Sequence, residues 1–336
     1  MSSPLAAPVQ VDVPRTRKVE YLRSLGPVVG LVAVIMGFAL LSGAPERYLS
    51  LNNLRVVLAQ TVIVAIGAIG MTMIIISAGI DLSVGSVVAL TSVVTALALK
   101  SSWSPLAAVA TSILVGSLVG VANGLAITAL RVVPFIATLG MLGMARGIAK
   151  WVANEQTVNV PETWVNVLAA PFPPKSWMLV APAVWITLVL ALLMTLVLRG
   201  TVFGRHVFAL GSNEAAARAC GIVTNRLKVV IYGSAGLFFG LAGVMQMSRL
   251  RQGDPTVAIG LELDVIAAVV IGGASLNGGE GSLPGAMVGA LVMAFLRNGS
   301  QQMGWPNYIQ EIMIGTIIVL AVAADRYRSS ARRLVE

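Results

Sequence analysis

The chain is short of charge: Asp, Glu, Lys and Arg together make up 11% of its 336 residues, against about a quarter in ordinary soluble domains. A water-exposed surface cannot be built from so little. With a single cysteine, Cys220, no intrachain disulfide and no multi-cysteine metal site can form, and compartment redox state leaves no mark. His206 is the lone histidine, so no zinc ligand set is in view. Aromatic residues are scarce at 6% and do not alternate with the basic ones, so the net charge of +9 reads as topology-setting charge and not as a nucleic-acid surface. None of the five lysines (18, 100, 150, 175 and 228) follows a glycine, as the phosphate loop G-x-x-x-x-G-K-[ST] requires. The chain therefore cannot hydrolyse ATP in that way; either an energy source lies on another subunit or the process it serves is passive.

What it has in excess is apolar sequence. Hydrophobic residues reach 57% and the mean hydropathy is +0.88. A bilayer-crossing helix needs about 20 mainly apolar residues, because hydrocarbon offers no water to open backbone groups. Ten stretches meet or approach this, near 26–44, 54–77, 84–99, 105–129, 134–153, 177–198, 227–248, 262–279, 283–299 and 308–324. The expected fold is all-α: one polytopic bundle of about ten spans over 26–325 and embedded in lipid, with tails at 1–25 and 326–336. Basic residues collect at Arg15, Arg17, Lys18 and Arg23, at Arg131, along 199–228 and at Arg326, Arg328, Arg332 and Arg333. By the positive-inside rule those segments and both termini are cytoplasmic. Residues 154–176, with prolines and Trp164, are then the largest exterior segment, expected to lie along the outer surface. The first span also has the basic flank and trailing small residues of a signal peptide; its removal would leave the other nine spans oriented as before.

Polar groups at membrane depth are costly and point to a pathway by default. SAGIDLSVGS (77–86) and GGASLNGGEGSLPG (272–285) interrupt apolar runs with glycine, Asp81 and Glu280, and paired interruptions are a hint of a transport site. The plain alternative is two short loops at the cytoplasmic face. Gln60, Asn123, Thr138 and Gln246 lie inside predicted spans; with Asp81, Ser83 and Asn277 they are candidate pathway residues, able to bond a polyhydroxylated solute or simply to tie helix to helix. The span centres are otherwise nearly free of charge, with Asp264, Arg297 and Glu311 near predicted ends, which disfavours ion coupling and favours uncharged solutes.

Between the sixth and seventh spans runs the charged segment 201–232. Asn213 is placed to cap a short helix that opens at Glu214, continues through Ala215, Ala216 and Ala217, and is ended by Gly221. Such a helix is either a docking handle for a partner or a helical linker.

Glu214, Ala215 and Ala216, with Arg218 and then Gly221, resemble the EAA coupling loop of bacterial ABC importer permeases, here with an extra residue before the glycine. GIDLSVGS, VVPFIATLGMLGMARG (132–147), FGRHVFALGSNEAAARACGI (203–222) and AAVVIGGASLNGGEGSLPG (267–285) together resemble the ribose-type, monosaccharide-importing branch over about 50–325. The resemblance implies a permease subunit of the bacterial inner membrane, in a homodimer or a pair of similar permeases, with 199–227 as its coupling loop. Two cytoplasmic ABC ATPase subunits would carry ATP and Mg, this chain binding no cofactor, and a periplasmic sugar-binding protein would deliver the solute. A secondary carrier for a small neutral solute is the competing reading.

Overall fold

The computed structural model describes residues 17–172 and 178–333, and helices account for nearly all of its regular structure. In chain order they are α1 (Arg17–Leu41), α2 (Pro45–Tyr48), α3 (Leu51–Ile76), α4 (Val84–Lys100), α5 (Pro105–Thr128), α6 (Pro134–Val152), α7 (Pro182–Gly200), α8 (Val202–Ser212), α9 (Glu214–Ala219), α10 (Thr224–Leu250), α11 (Leu261–Ile271), α12 (Leu283–Gln302) and α13 (Asn307–Arg333). Each of the ten predicted spans holds one of these helices. Five of them, α3, α5, α6, α7 and α10, are long and apolar enough to cross a bilayer unaided. The helix starts follow the sequence: Pro105, Pro134 and Pro182 occupy first-turn positions, and the hydroxyls of Ser50 and Ser104 accept the backbone N–H of Asn53 and Ala107, relieving orphan donors.

Helix α3 is apolar all round and runs through the centre, buried from Val57 almost without interruption to Ile76, as such a helix must be. Helix α10 packs beside it and meets α5 along a seam of small residues. A Cβ on Gly120 would come within 2.1 Å of the Tyr232 carbonyl, and one on Gly236 within 2.2 Å of the Gly116 carbonyl, so only glycine lets the two backbones approach so closely. Helices α5, α6 and α7 turn broad apolar faces outward, among them Leu118, Trp185, Leu192 and Leu196. Those faces suit lipid.

One end of the bundle carries α8 and α9 and is called the foot end; the other is the far end. At the far end β1 (Val158–Asn159) pairs antiparallel with β2 (Gln252–Gly253), and a 3-10 turn spans Trp164–Val167. Ser248 Oγ donates to the Val165 carbonyl and accepts from Ala169 N. The segment expected to lie along a membrane surface is thus folded onto the bundle in its described part, anchored by a buried Val165. Residues 1–16 and 334–336, with Arg15 and Lys175, lie outside the described residues, and α1 and α13 continue into the predicted tails.

Two helices start in mid-bundle. A Cβ on Gly67 would meet both Val84 and Val265, which puts the first turns of α4 and α11 beside a point nine residues from the foot end of α3, about 13 Å deep at 1.5 Å per residue. The chain reaches α4 through the non-helical stretch 77–83 from the foot end. It reaches α11 through 251–260 from the far end, passing Gly253 against Ser92, Val93 and Ala96 and Ala258 against Gly85. Of the two interruptions expected at depth, then, the first is re-entrant, whereas 272–285 stays at the foot end. The second deep break is 251–260, which the sequence reading had placed in an exterior loop.

Candidate functional site

Irregular backbone at depth must have its polar groups satisfied within the protein, and 77–83 is so held. Asp81 Oδ1 accepts Ser83 N at 2.7 Å and Ser83 Oγ at 2.6 Å, while Oδ2 accepts Asn123 Nδ2 at 3.2 Å. Asn123 Nδ2 also donates to Ser83 Oγ at 3.0 Å. Thr138 Oγ1 accepts Leu82 N at 3.1 Å, and Tyr232 donates to the Ile80 carbonyl at 3.3 Å. Four of the candidate pathway residues, Asp81, Ser83, Asn123 and Thr138, therefore form one buried cluster that fixes the entry to α4. The second deep stretch is held by a residue that sequence reasoning passed over: Arg146, inside α6, donates from Nη1 to the carbonyls of Pro255 at 2.8 Å and Val257 at 2.6 Å. Its signal was a lone guanidinium well within an apolar span.

Gln60 and Gln246 lie elsewhere, together, on the wall of a cavity of about 230 Å³. Arg249, Asp264, Arg297 and Gln301 share that wall with Ile63, Leu261 and Met293. Arg297 Nη2 meets Asp264 Oδ2 at 2.6 Å, so the interior is not free of fixed charge: Asp264 stands in the first turn of a helix that starts at depth, not at a membrane face. A second cavity, lined by Asn52, Asn53 and Asn298, shares Gln60 and Gln301 with the first and continues to the far end at Ser42 and Ala44. Asn277 is in neither group; it belongs to the 272–285 loop, near Gly278 and Gly279, which pack on α8.

At the foot end, the predicted short helix is α9. The Asn213 side chain accepts Ala216 N at 3.0 Å, and Gly221, at φ +86°, closes it as Gly221 N bonds Arg218 O and Ile222 N bonds Ala217 O. Glu214 accepts from Arg218 at 3.1 Å and from Lys228, on α10, at 2.8 Å, and Arg218 also reaches Thr224 Oγ1 at 3.1 Å. Burial pushes the Glu214 carboxyl up, but the hydrogen bond and charge of Lys228, then those of Arg218, outweigh it and hold the group below the usual range. Glu214 thus ties the foot to its own bundle, leaving Ala215, Ala216 and Ala219 exposed around it. Helix α8, read from the sequence as loop, wedges beneath the bundle: Gly211 lies against the Ile76 carbonyl that ends α3 and against Gly279 N, and Gly279 N itself donates to Ile76 O at 2.8 Å.

A bundle with lipid-suited faces, re-entrant backbone, a polar interior cavity and a foot outside the spans defines a multi-pass membrane permease. The chain belongs to the family described as the branched-chain amino acid transport system permease component, whose model matches residues 53–322. It is 40% identical to the ribose import permease protein of Escherichia coli K12 over 295 residues, 88% of this chain and 92% of that one. It is 33% identical to an L-arabinose ABC transporter permease of Azospirillum brasilense over 308 residues, 91% and 90% of the two chains. With the autoinducer 2 import system permease of Photorhabdus luminescens it shares 29% over 298 residues, 89% of each. No solved structure matches it.

Proposed function

We propose that the chain is the membrane subunit of an ATP-driven importer of a monosaccharide, ribose-like or related, placed in the bacterial inner membrane with both termini and the foot in the cytoplasm. A separate ABC ATPase, carrying ATP and Mg, docks on α9, a periplasmic binding protein presents the sugar at the far end, and two permease chains enclose the path. The observation that carries this reading is the construction of the foot. Its charged residues are turned back onto α10, its small exposed alanines are free for a partner's groove, and α8 seats it on the end of α3. Movement of a docked ATPase is thereby delivered to the root of the re-entrant stretch 77–83. Relatives named for ribose, L-arabinose and autoinducer 2 import support a small polyhydroxylated cargo.

The test is Ala216→Trp, which adds bulk to the exposed face without touching the bundle. Reconstituted with ATPase and binding protein, this variant should lose at least nine-tenths of ATP-dependent sugar uptake and co-purify with little ATPase, at an unchanged melting midpoint. Uptake and ATPase capture equal to wild type would remove α9 as the docking site. Sugar flux driven by an ion gradient, without the partners, would favour the secondary carrier instead.

A further inference from the structure

Monosaccharide import through a binding protein leaves open whether the permease itself distinguishes its cargo. The cavity at Asp264 bears on that question. Asp264 is 3% exposed and uses one carboxylate oxygen on Arg297, while its other oxygen, Oδ1, is buried without a hydrogen-bond partner, as is Arg297 Nε. Unsatisfied polar atoms this deep are costly, and two of them on one ion pair at a cavity wall mark a place built for a polar guest. Gln60 and Gln246 flank the pair, each able to give and to receive a hydrogen bond. Ile63, Leu261 and Met293 add an apolar side, as a sugar's C–H face requires. The volume of about 230 Å³ is far more than a single water needs and suits one monosaccharide. The adjoining polar vestibule opens the route from the far end, and toward the foot end Gly67, one turn beyond Val64 of the wall, packs against Val84 and Val265.

We infer that this cavity is a selecting station for a neutral monosaccharide, in which Asp264 Oδ1 accepts a sugar hydroxyl while Arg297, Gln60 and Gln246 hold its neighbours. The inference rests on the importer reading above and deepens it. The ion pair offers a guest both an unpartnered acceptor, Asp264 Oδ1, and an unpartnered donor, Arg297 Nε; a hydroxyl-bearing neutral sugar can use both, whereas an anionic group can use only the donor. Arg249, the next-to-last residue of α10, also lines the cavity.

The test uses the full-length permease in detergent, without binding protein, and saturation-transfer NMR with D-ribose, L-arabinose, D-glucose and the anionic D-galacturonate as probes. At least one neutral sugar should give a signal that Asp264→Asn reduces fivefold or more and that Gly143→Ala, whose Cβ meets nothing within 4 Å, leaves intact. If Asp264→Asn does not fold, the double variant Asp264→Asn/Arg297→Gln, which keeps an uncharged hydrogen-bonding pair, takes its place with the same expectation. Neutral-sugar signals unchanged in the cavity variant, or no neutral-sugar signal in wild type, overturn the inference. So does a stronger signal from D-galacturonate than from every neutral sugar. If the wild-type complex still imports a sugar with its ATPase and binding protein, that failure touches the station alone; if it imports none, the importer reading falls as well.

Discussion

A single methyl group at Gly211 tests whether α8 transmits force. Two effects oppose each other there. Alanine is the better helix former by about 1 kcal/mol, so propensity alone makes Gly211→Ala stabilising. Against this, the new Cβ would lie 1.7 Å from the Ile76 carbonyl oxygen and 2.7 Å from Gly279 N, both backbone atoms. The first contact must open to roughly 3 Å, the closest a real Cβ comes, so α8 has to lift by more than 1 Å. Overpacking of this kind costs about 1–3 kcal/mol, and losing the Gly279 N–Ile76 O bond would add about 1 kcal/mol. Subtracting the propensity gain leaves about 1–3 kcal/mol against the seated position, a 5- to 150-fold shift. Sterics win, and the foot should rest partly unseated. The expected result in reconstituted vesicles is ATPase activity that persists while sugar uptake falls at least fivefold. Gly143→Ala, in α6, where a Cβ meets nothing within 4 Å, should leave both unchanged. If Gly211→Ala transports as wild type does, α8 is not the link between foot and bundle.

The Glu214 clamp predicts a pH dependence of ATPase attachment. Because the folded carboxyl is held below its ordinary value of 4.5, the clamp's contribution is complete above about that pH and is lost as pH falls through the lower folded value. Capture of the ATPase should stay constant at neutral and mildly acid pH and weaken only as pH falls below the ordinary value of 4.5, and Glu214→Gln should weaken it at neutral pH and flatten the profile; an identical profile in the variant would discard the clamp. Exposed pairs of this sort are worth only about 0.2–1 kcal/mol, so the melting midpoint should move by little. Arg146→Met removes the donor from two carbonyls of the deep stretch 251–260, at about 1.5–3 kcal/mol for each hydrogen bond from a charged group. It should expose a cysteine placed at Ala258 to thiol reagents; unchanged labelling would mean the stretch is held by something else.

That the ten apolar stretches form helices was legible because a long apolar run must be removed from water, and the cap of α9 was legible because Asn213 and Gly221 act on their immediate neighbours. What eluded the sequence depends on which face of a helix meets which neighbour. Gln60 and Gln246 share a wall, while Asn123 and Thr138 serve a different cluster, although all four look alike as polar residues in apolar spans. Asp264 and Arg297 read as membrane-edge charges because α11 was assumed to start at a surface; a helix that begins in mid-bundle breaks that assumption. The polar run RQGDPTVAIG at 251–260 carried the usual signs of an exterior loop, yet it is held by partners far away in the chain: Arg146 on its carbonyls, β1 beside Gln252 and Gly253, and α4 against Gly253 and Ala258. Helix α8 was hidden for a similar reason. Its glycines, Gly204 and Gly211, suggest loop, yet they are close-approach sites against Leu198 and Ile76.

The two deep breaks also give the proposed coupling a route from the foot at one end to the cavity that opens at the other. In one half a long helix, α3, is followed by re-entrant backbone and then by α4; in the other, α10 is followed by re-entrant backbone and then by α11. The two units enter from opposite ends, an inverted arrangement of the kind that places a transport site between repeats. Their half-helix starts meet at Gly67, with Glu262 of α11 beside Gly85 of α4, where the amino-terminal dipole of α4 favours a carboxylate. That junction lies next to the cavity: Gly67 is one turn from Val64 and Val265 follows Asp264, and Val64 and Asp264 are both on the cavity wall. The foot, through Gly211 and Ile76, acts on the chain that leads into α4, whereas Arg146 anchors the chain that leads into α11. Displacing the first against the second would part Val84 from Val265 where both pack on Gly67, so a small movement at α8 suffices where a rigid continuous span would have to move as a whole.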